Sequence, residues 1–114
     1  MKLIVQIPCW NEELNIAKTI SSIPKLIEGI EAIEILVIND GSSDQTVEKA
    51  KEAGAHHILN LPHHMGLATA FNKGVQQALF LGADIIVNTD GDNQYEGSEI
   101  SRLIEPILFK KADL

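Results

Sequence analysis

Four short apolar runs, spaced by segments long enough to hold helices, restrict how this chain can fold. They are "KLIVQI" (residues 2–7), "EILVIN" (34–39), "HHILN" (56–60) and "DIIVNT" (84–89). They are rich in Ile and Val, and three of them would be apolar on both faces of a strand. A sheet with one wet face alternates apolar and polar residues; a continuous apolar run suits a parallel strand covered on both sides. Parallel neighbours need a crossover of roughly a dozen residues or more. The connection between the first two runs is long enough for one and far too long for a tight hairpin.

The segments between the runs carry helical periodicity. Leu67, Ala70, Phe71, Gly74, Val75, Ala78 and Leu79 recur at helical intervals and predict one continuous apolar face, with Gly82 just past the helix end. Val47, Ala50 and Ala53 predict a shorter helix ended by Gly54, with Ser42 or Ser43 as N-cap and Asp44 in the first turn. A helix from about Glu12 is interrupted by Pro24. Ile100, Leu103, Ile104, Ile107 and Leu108 predict a last helix, kinked or shortened by Pro106. The order β-α-β-α-β-α-β-α with right-handed crossovers predicts an α/β fold, a doubly wound and mainly parallel sheet with helices on both faces. Residues 1–114 read as one domain, and the closing "ADL" reads as the start of a further strand, so the domain is expected to continue past Leu114.

Charge narrows the partners. A net charge of −7 leaves no basic stripe of the kind a general nucleic-acid binder needs. An acidic chain that holds an anionic ligand needs backbone N–H groups or a divalent cation. No apolar run reaches membrane-spanning length, and "MKLIVQIP" is too short for a signal-peptide core. The single Cys9 rules out an internal disulfide and fits a reducing compartment, so a cytoplasmic setting is expected.

In an open parallel sheet, ligands bind beyond the carboxyl ends of the strands. The four strands are followed there by "PCWNEE", "DGSSDQT", "LPHHMG" and "DGDNQY", whereas the opposite edge receives plainer connections such as "EAGA" and "FLGA". This asymmetry marks one edge as the site. Asp90 and Asp92 flank Gly91, so a sharp turn can aim both carboxylates at one region. Such hard oxygen ligands suit Mg²⁺ or Mn²⁺ and leave coordination positions for a diphosphate. Asp, Gly and Asn are also common turn formers, so this motif by itself fits metal and turn alike. Asp40, before Gly41, Ser42 and Ser43, reads either as an acceptor for a nucleobase N–H or as part of a capping turn. Its side chain is expected at a crevice, with little weight in stability. Asn11 and Glu12 suit ribose hydroxyls or a helix start, and Trp10 suits ring stacking or the core.

The series "PCWNE", "NDGSSDQT", "HMGLATAFNKG" and Asp-x-Asp followed by "NQY" resembles the family 2 glycosyltransferases of the GT-A fold. It looks closest to the branch with dolichol-phosphate mannosyltransferases and bacterial polyprenyl-phosphate sugar transferases. Four motifs in order at four strand ends make the resemblance specific, and it spans nearly the whole chain. It implies a Rossmann-like nucleotide-binding domain over residues 1–114, the donor half of a GT-A domain, with the acceptor half and any catalytic base beyond Leu114. The implied reaction moves a sugar from a nucleoside-diphosphate sugar to an acceptor, such as a polyprenyl phosphate, by metal-assisted inverting displacement. Pro8, Asn11 and Glu12 match the first nucleotide-contacting segment, and Trp10, Gly41 and Asp90 are read with them. Asp40 matches the carboxylate that meets the base. Asp90 and Asp92 match the DXD metal pair for Mg²⁺ or Mn²⁺, with Asp92 the more direct ligand. Gln94, His64 and Gly66 are candidates for donor-sugar or phosphate contacts. His64 departs from the pattern, since many relatives carry Asn at that place.

Two other readings fit parts of the sequence. One is a nucleotide-binding module that turns nothing over in this short form. The other is a receiver-like Mg²⁺-binding signalling domain, for which Glu12 and Glu13 supply only part of the acidic cluster needed after the first strand. His56, His57, His63 and His64 form two adjacent pairs, but only the second pair falls on the ligand edge, and no Cys or carboxylate spacing supports zinc. Cys9 reads as a small buried thiol.

Overall fold

The computed structural model describes residues 1–89; the expectations for Asp90, Gly91, Asp92, Gln94 and a helix over 100–108 lie outside the described residues. The elements run β1 (Lys2–Cys9), α1 (Ile16–Ser22), β2 (Ala32–Asn39), α2 (Thr46–Ala53), β3 (His57–Asn60), α3 (Leu67–Phe80) and β4 (Ile85–Asn88). Every strand pairing among them is parallel, and the order is β3-β2-β1-β4.

That order follows from two crossovers in one direction and a third that returns past β1. With all crossovers right-handed, the reversal moves the helix to the other face of the sheet. Accordingly Ile16, Ile20 and Ile23 of the α1 region and Ala50 of α2 pack with Leu3, Val5, Ile7 and Val37. Ala70 and Ala78 of α3 pack on the opposite face with Ile4, Leu36 and Ile38. Odd and even residues of β1 thus enter different cores, as strand geometry requires. The reversal lies between β1 and β4, so the crevice that opens where strand order switches sits beyond the carboxyl ends of those two strands. A receiver-like domain would place β3 beside β1. Here β3 is at the edge, which overturns that reading.

Several local expectations are corrected. β1 continues through Pro8 to Cys9. The carbonyls of Lys2 and Gln6 face the β4 side, accepting from Asp84 and Thr89. The Pro8 nitrogen therefore also faces that side, but the β1–β4 pairing has already ended at Gln6–Asn88, so no ladder bond is lost. α1 begins at Ile16 and not near Glu12, because Glu12 O accepts from Asn15 N and Ile16 N and forms a separate turn first. The N-cap of α2 is Gln45 rather than Ser42 or Ser43, and Asp44 lies before the helix, where its Oδ1 accepts from Thr46 N at 3.0 Å.

On α3 only Ala70, Gly74 and Ala78 are buried, while Leu67, Phe71 and Leu79 are exposed. The predicted face is real but narrow, because a stripe of small residues lets the helix axis approach the sheet closely. A Cβ on Gly74 would come within 2.7 Å of Ile38 Cδ1 and 2.8 Å of the buried Gln6 Oε1. The Gln6 amide nitrogen in turn donates to Phe71 O at 3.3 Å and Asn88 Oδ1 at 3.1 Å, tying β1, α3 and β4 together. Gly82, with φ +88°, and Gly54, with φ +105°, take the left-handed positions predicted for them at helix ends. Among the described residues, no helix is long and apolar enough to cross a membrane.

Candidate functional site

β1 and β2 are neighbours, so the loops that follow them lie side by side, as expected for Pro8, Asn11 and Glu12 against Asp40. Asp40 N donates to Cys9 O at 2.9 Å and extends the pairing past the strand ends. Beyond that point the two loops are laced together. Asn11 N donates to Ser42 Oγ at 3.0 Å, and Asn11 Oδ1 accepts from Ser43 N at 2.8 Å. Asn11 holds a positive φ of +53°, which Asn tolerates better than most residues. Glu12 N donates to Thr46 Oγ1 at 2.9 Å, Glu13 N to Asp44 Oδ2 at 3.3 Å, and Gln45 N to Glu13 Oε2 at 3.1 Å. Burial alone would raise the Asp44 carboxyl, but hydrogen bonds from the Thr46 hydroxyl and from the backbone N–H groups of Thr46 and Glu13 outweigh it and hold it below the usual range.

These bonds change two readings. The Asn11 side-chain oxygen is a clamp on the second loop, and the Glu12 backbone starts the turn before α1. Thr46 was missed: it is buried and accepts from the first loop, yet nothing in the local sequence separates it from any helix-start threonine. Asn39 was missed too. Its Nδ2 donates to Asn60 Oδ1 at 3.0 Å and its Oδ1 accepts from Ser42 N at 2.9 Å, linking the ends of β2 and β3. A polar residue closing an apolar strand was its available signal.

Asp40 carries the largest correction. Only 3% exposed, it is not an open crevice residue. Its Oδ1 accepts from Met65 N at 2.7 Å and its Oδ2 from Gly66 N at 3.0 Å, while His64 Nδ1 stands 2.9 Å from Oδ2 and makes its hydrogen bond to the Asp40 carbonyl oxygen at 3.2 Å. The loop between β3 and α3 has folded over the carboxylate. Gly41 makes this possible: its φ is +75°, and a Cβ there would stand 2.3 Å from His64 N and 2.5 Å from His63 C. The His64 ring stacks on Trp10 with centroids 4.3 Å apart and planes at 29°. Trp10 is 48% exposed, so its core reading falls away and a half-open aromatic surface stands in its place.

Among the described residues, Cys9 and the pair His56 and His57 do not contribute to this cluster. Burial, with help from the charges of Glu12, Asp44 and Asp40, pushes the Cys9 thiol up to about 12, so it is no nucleophile. His57 Nε2 lies 2.6 Å from Glu34 Oε1, and this bond, with Lys2 beside it, holds the Glu34 carboxyl below the usual range. His56 Nδ1 accepts from Ile35 N at 2.9 Å. That pair belongs to the opposite end of β3 from His63 and His64.

A parallel sheet in the order 3-2-1-4, with polar loops laced over its carboxyl edge, defines a Rossmann-like α/β domain of the GT-A type. Within that class the chain belongs to glycosyl transferase family 2, whose profile matches residues 4–114. It is 34% identical over 116 residues to an uncharacterized protein of Methanocaldococcus jannaschii, covering 99% of this chain and 44% of that protein. It is 34% identical over 110 residues to a dolichol-phosphate mannosyltransferase of Pyrococcus furiosus, covering 94% of this chain and 30% of that one. Among solved structures it is similar to glucosyl-3-phosphoglycerate synthase from Mycobacterium tuberculosis in complex with Mn²⁺, UDP and glucosyl-3-phosphoglycerate. The TM-score is 0.73 at 25% identity, over 94% of this chain and 39% of that one. The chain thus spans less than half the length of these relatives.

Proposed function

We propose that this chain is the donor-binding part of a glycosyltransferase that takes a sugar from a nucleoside-diphosphate sugar. The observation that carries this reading is the convergence of Trp10, Asp40 and His64 over the carboxyl edge of the sheet, next to the switch in strand order. Thr89, the residue before Asp90, donates its N–H to Gln6 O at 3.0 Å, so β4 ends beside β1 at that edge of the sheet. Asp90 and Asp92, the carboxylates that follow in the sequence, are a donor set that fits a hard divalent cation. The synthase from M. tuberculosis, whose complex holds Mn²⁺ and UDP, supports the same assignment.

In this reading Trp10, His64 and Asp40 form the nucleoside end of the site, and the laced loop bearing Pro8, Asn11, Glu12 and Gly41 holds it rigid. Asp92, with Asp90 beside it, holds Mg²⁺ or Mn²⁺, and Gln94 and Gly66 line the sugar and phosphate end. The ion supplies Lewis-acid neutralisation of the leaving diphosphate. Transfer proceeds with inversion through a transition state of oxocarbenium character. A polyprenyl-phosphate acceptor is already anionic and needs no strong base; a hydroxyl acceptor would need one.

The test is nucleoside-diphosphate binding by calorimetry, in Mn²⁺ and in chelator. Binding is expected to be at least about tenfold tighter with metal, because the ion offsets repulsion between carboxylates and phosphates. Asp92→Asn should abolish most of that difference while the melting temperature stays, since Asn still suits a turn. An unchanged metal dependence in Asp92→Asn would reduce the pair to turn chemistry.

A further inference from the structure

His64 is placed to do more than fill the position where Asn was expected. Its Nδ1 lies 2.9 Å from Asp40 Oδ2 and 3.2 Å from the Asp40 carbonyl oxygen. Both are acceptors, so Nδ1 holds a hydrogen, and in the neutral ring Nε2 is left as a bare acceptor. The Asp40 carboxylate, in contrast, is buried and already receives Met65 N and Gly66 N, with the His64 ring 2.9 Å from its Oδ2. The His64 side chain is 50% exposed, and no hydrogen bond among the described residues occupies its Nε2. Trp10 stacked at 4.3 Å fixes the plane of the ring. The accessible acceptor at this end of the site is therefore the imidazole and not the carboxylate.

We propose that His64 Nε2 accepts the ring N–H of the donor's nucleobase, with Asp40 and Trp10 acting as positioning residues for the imidazole. This rests on the nucleotide site proposed above and narrows it. The base must present a ring N–H on its pairing edge, as uracil does at N3 and guanine at N1. Neutral cytosine and adenine present a bare ring nitrogen there and would face His64 acceptor to acceptor.

The experiment compares UDP with N3-methyl-UDP on the full chain in Mn²⁺, at about pH 8, on the basic side of the range where histidine changes charge. If GDP binds more tightly than UDP, the pair becomes GDP and 1-methyl-GDP. The wild type should prefer the unmethylated ligand by about tenfold or more, since a site built around a hydrogen bond rejects the analogue that lacks it. His64→Asn puts an amide nitrogen near the place of Nδ1, so the bond to Asp40 is kept, but no atom reaches the place of Nε2. Its preference should fall to near one, with little change in melting temperature. His64→Gln, whose amide reaches the place of Nε2, should recover part of it and serves as the second variant if His64→Asn does not fold. A preference that persists in His64→Asn overturns the proposal and assigns base reading to another group. Equal binding of both ligands by the wild type overturns it as well, while leaving the donor site intact. Only a wild type that binds neither nucleoside diphosphate would overturn the donor site itself.

Discussion

Gly41→Ala is expected to cost about 2–5 kcal/mol of stability and to abolish nucleoside-diphosphate binding. Two separate effects add. An alanine at φ +75° pays the left-handed penalty of about 1–2 kcal/mol that glycine escapes. Its Cβ would also stand 2.3 Å from His64 N and 2.5 Å from His63 C, and these are backbone atoms that no rotamer change can move. Relieving the overlap means lifting the loop between β3 and α3 off the turn after β2, at a further cost of about 1–3 kcal/mol. The same movement separates His64 and the backbone donors of Met65 and Gly66 from Asp40. Urea denaturation with calorimetry on the same samples tests both parts. A midpoint within error of wild type would show that the two loops do not pack as described.

Asp40→Ala is the second large effect, and its size on stability departs from the small loss that the sequence suggests. A carboxylate at an open crevice can be removed cheaply. Asp40 is instead buried and receives two backbone N–H groups, with His64 Nδ1 2.9 Å from its Oδ2. A fully buried N–H left without a partner costs about 1–3 kcal/mol, and water can reach these two part-buried groups, so the variant should lose about 2–4 kcal/mol in all. Binding should weaken too, because His64 loses the carboxylate 2.9 Å from its Nδ1 and is left with the carbonyl of residue 40 alone. Asp40→Asn separates the contributions: it keeps one oxygen for a backbone donor but sets an amide N–H₂ against the other donors, so its loss should be smaller yet measurable. A thermal melt of Asp40→Ala that matches wild type would contradict the buried-anchor role.

How much of this was legible beforehand depends on the range of each interaction. The strands were legible because Ile/Val runs are local, and Gly54 and Gly82 were legible because helix ends favour the left-handed conformation within a few residues. The site edge was legible because strand direction sends every post-strand loop to one side. The burial of Asp40 was not, since its partners stand 25 and 26 residues later and no spacing rule links a turn aspartate to backbone N–H groups. The cap of α2 was misread because several polar residues compete there, and the choice among them is made by the neighbouring loop through Glu12, Glu13 and Thr46. On α3 the apolar periodicity was right, but periodicity counts greasy residues and not how close a helix can come. Gly74 decided that, and so left Leu67, Phe71 and Leu79 in solvent.

Trp10 is the only tryptophan in the sequence, and it lies against the His64 ring at the carboxyl edge of the sheet. With excitation beyond the absorption of Tyr95, the chain's emission therefore arises from one indole in one environment, without contributions from a distant core. Nothing need be attached to the protein for light to report on this crevice. Any event that parts the two rings, shields the half-exposed indole from water or changes the charge on the imidazole is registered at the fluorophore itself, so the residue that shapes the pocket also makes its occupancy visible.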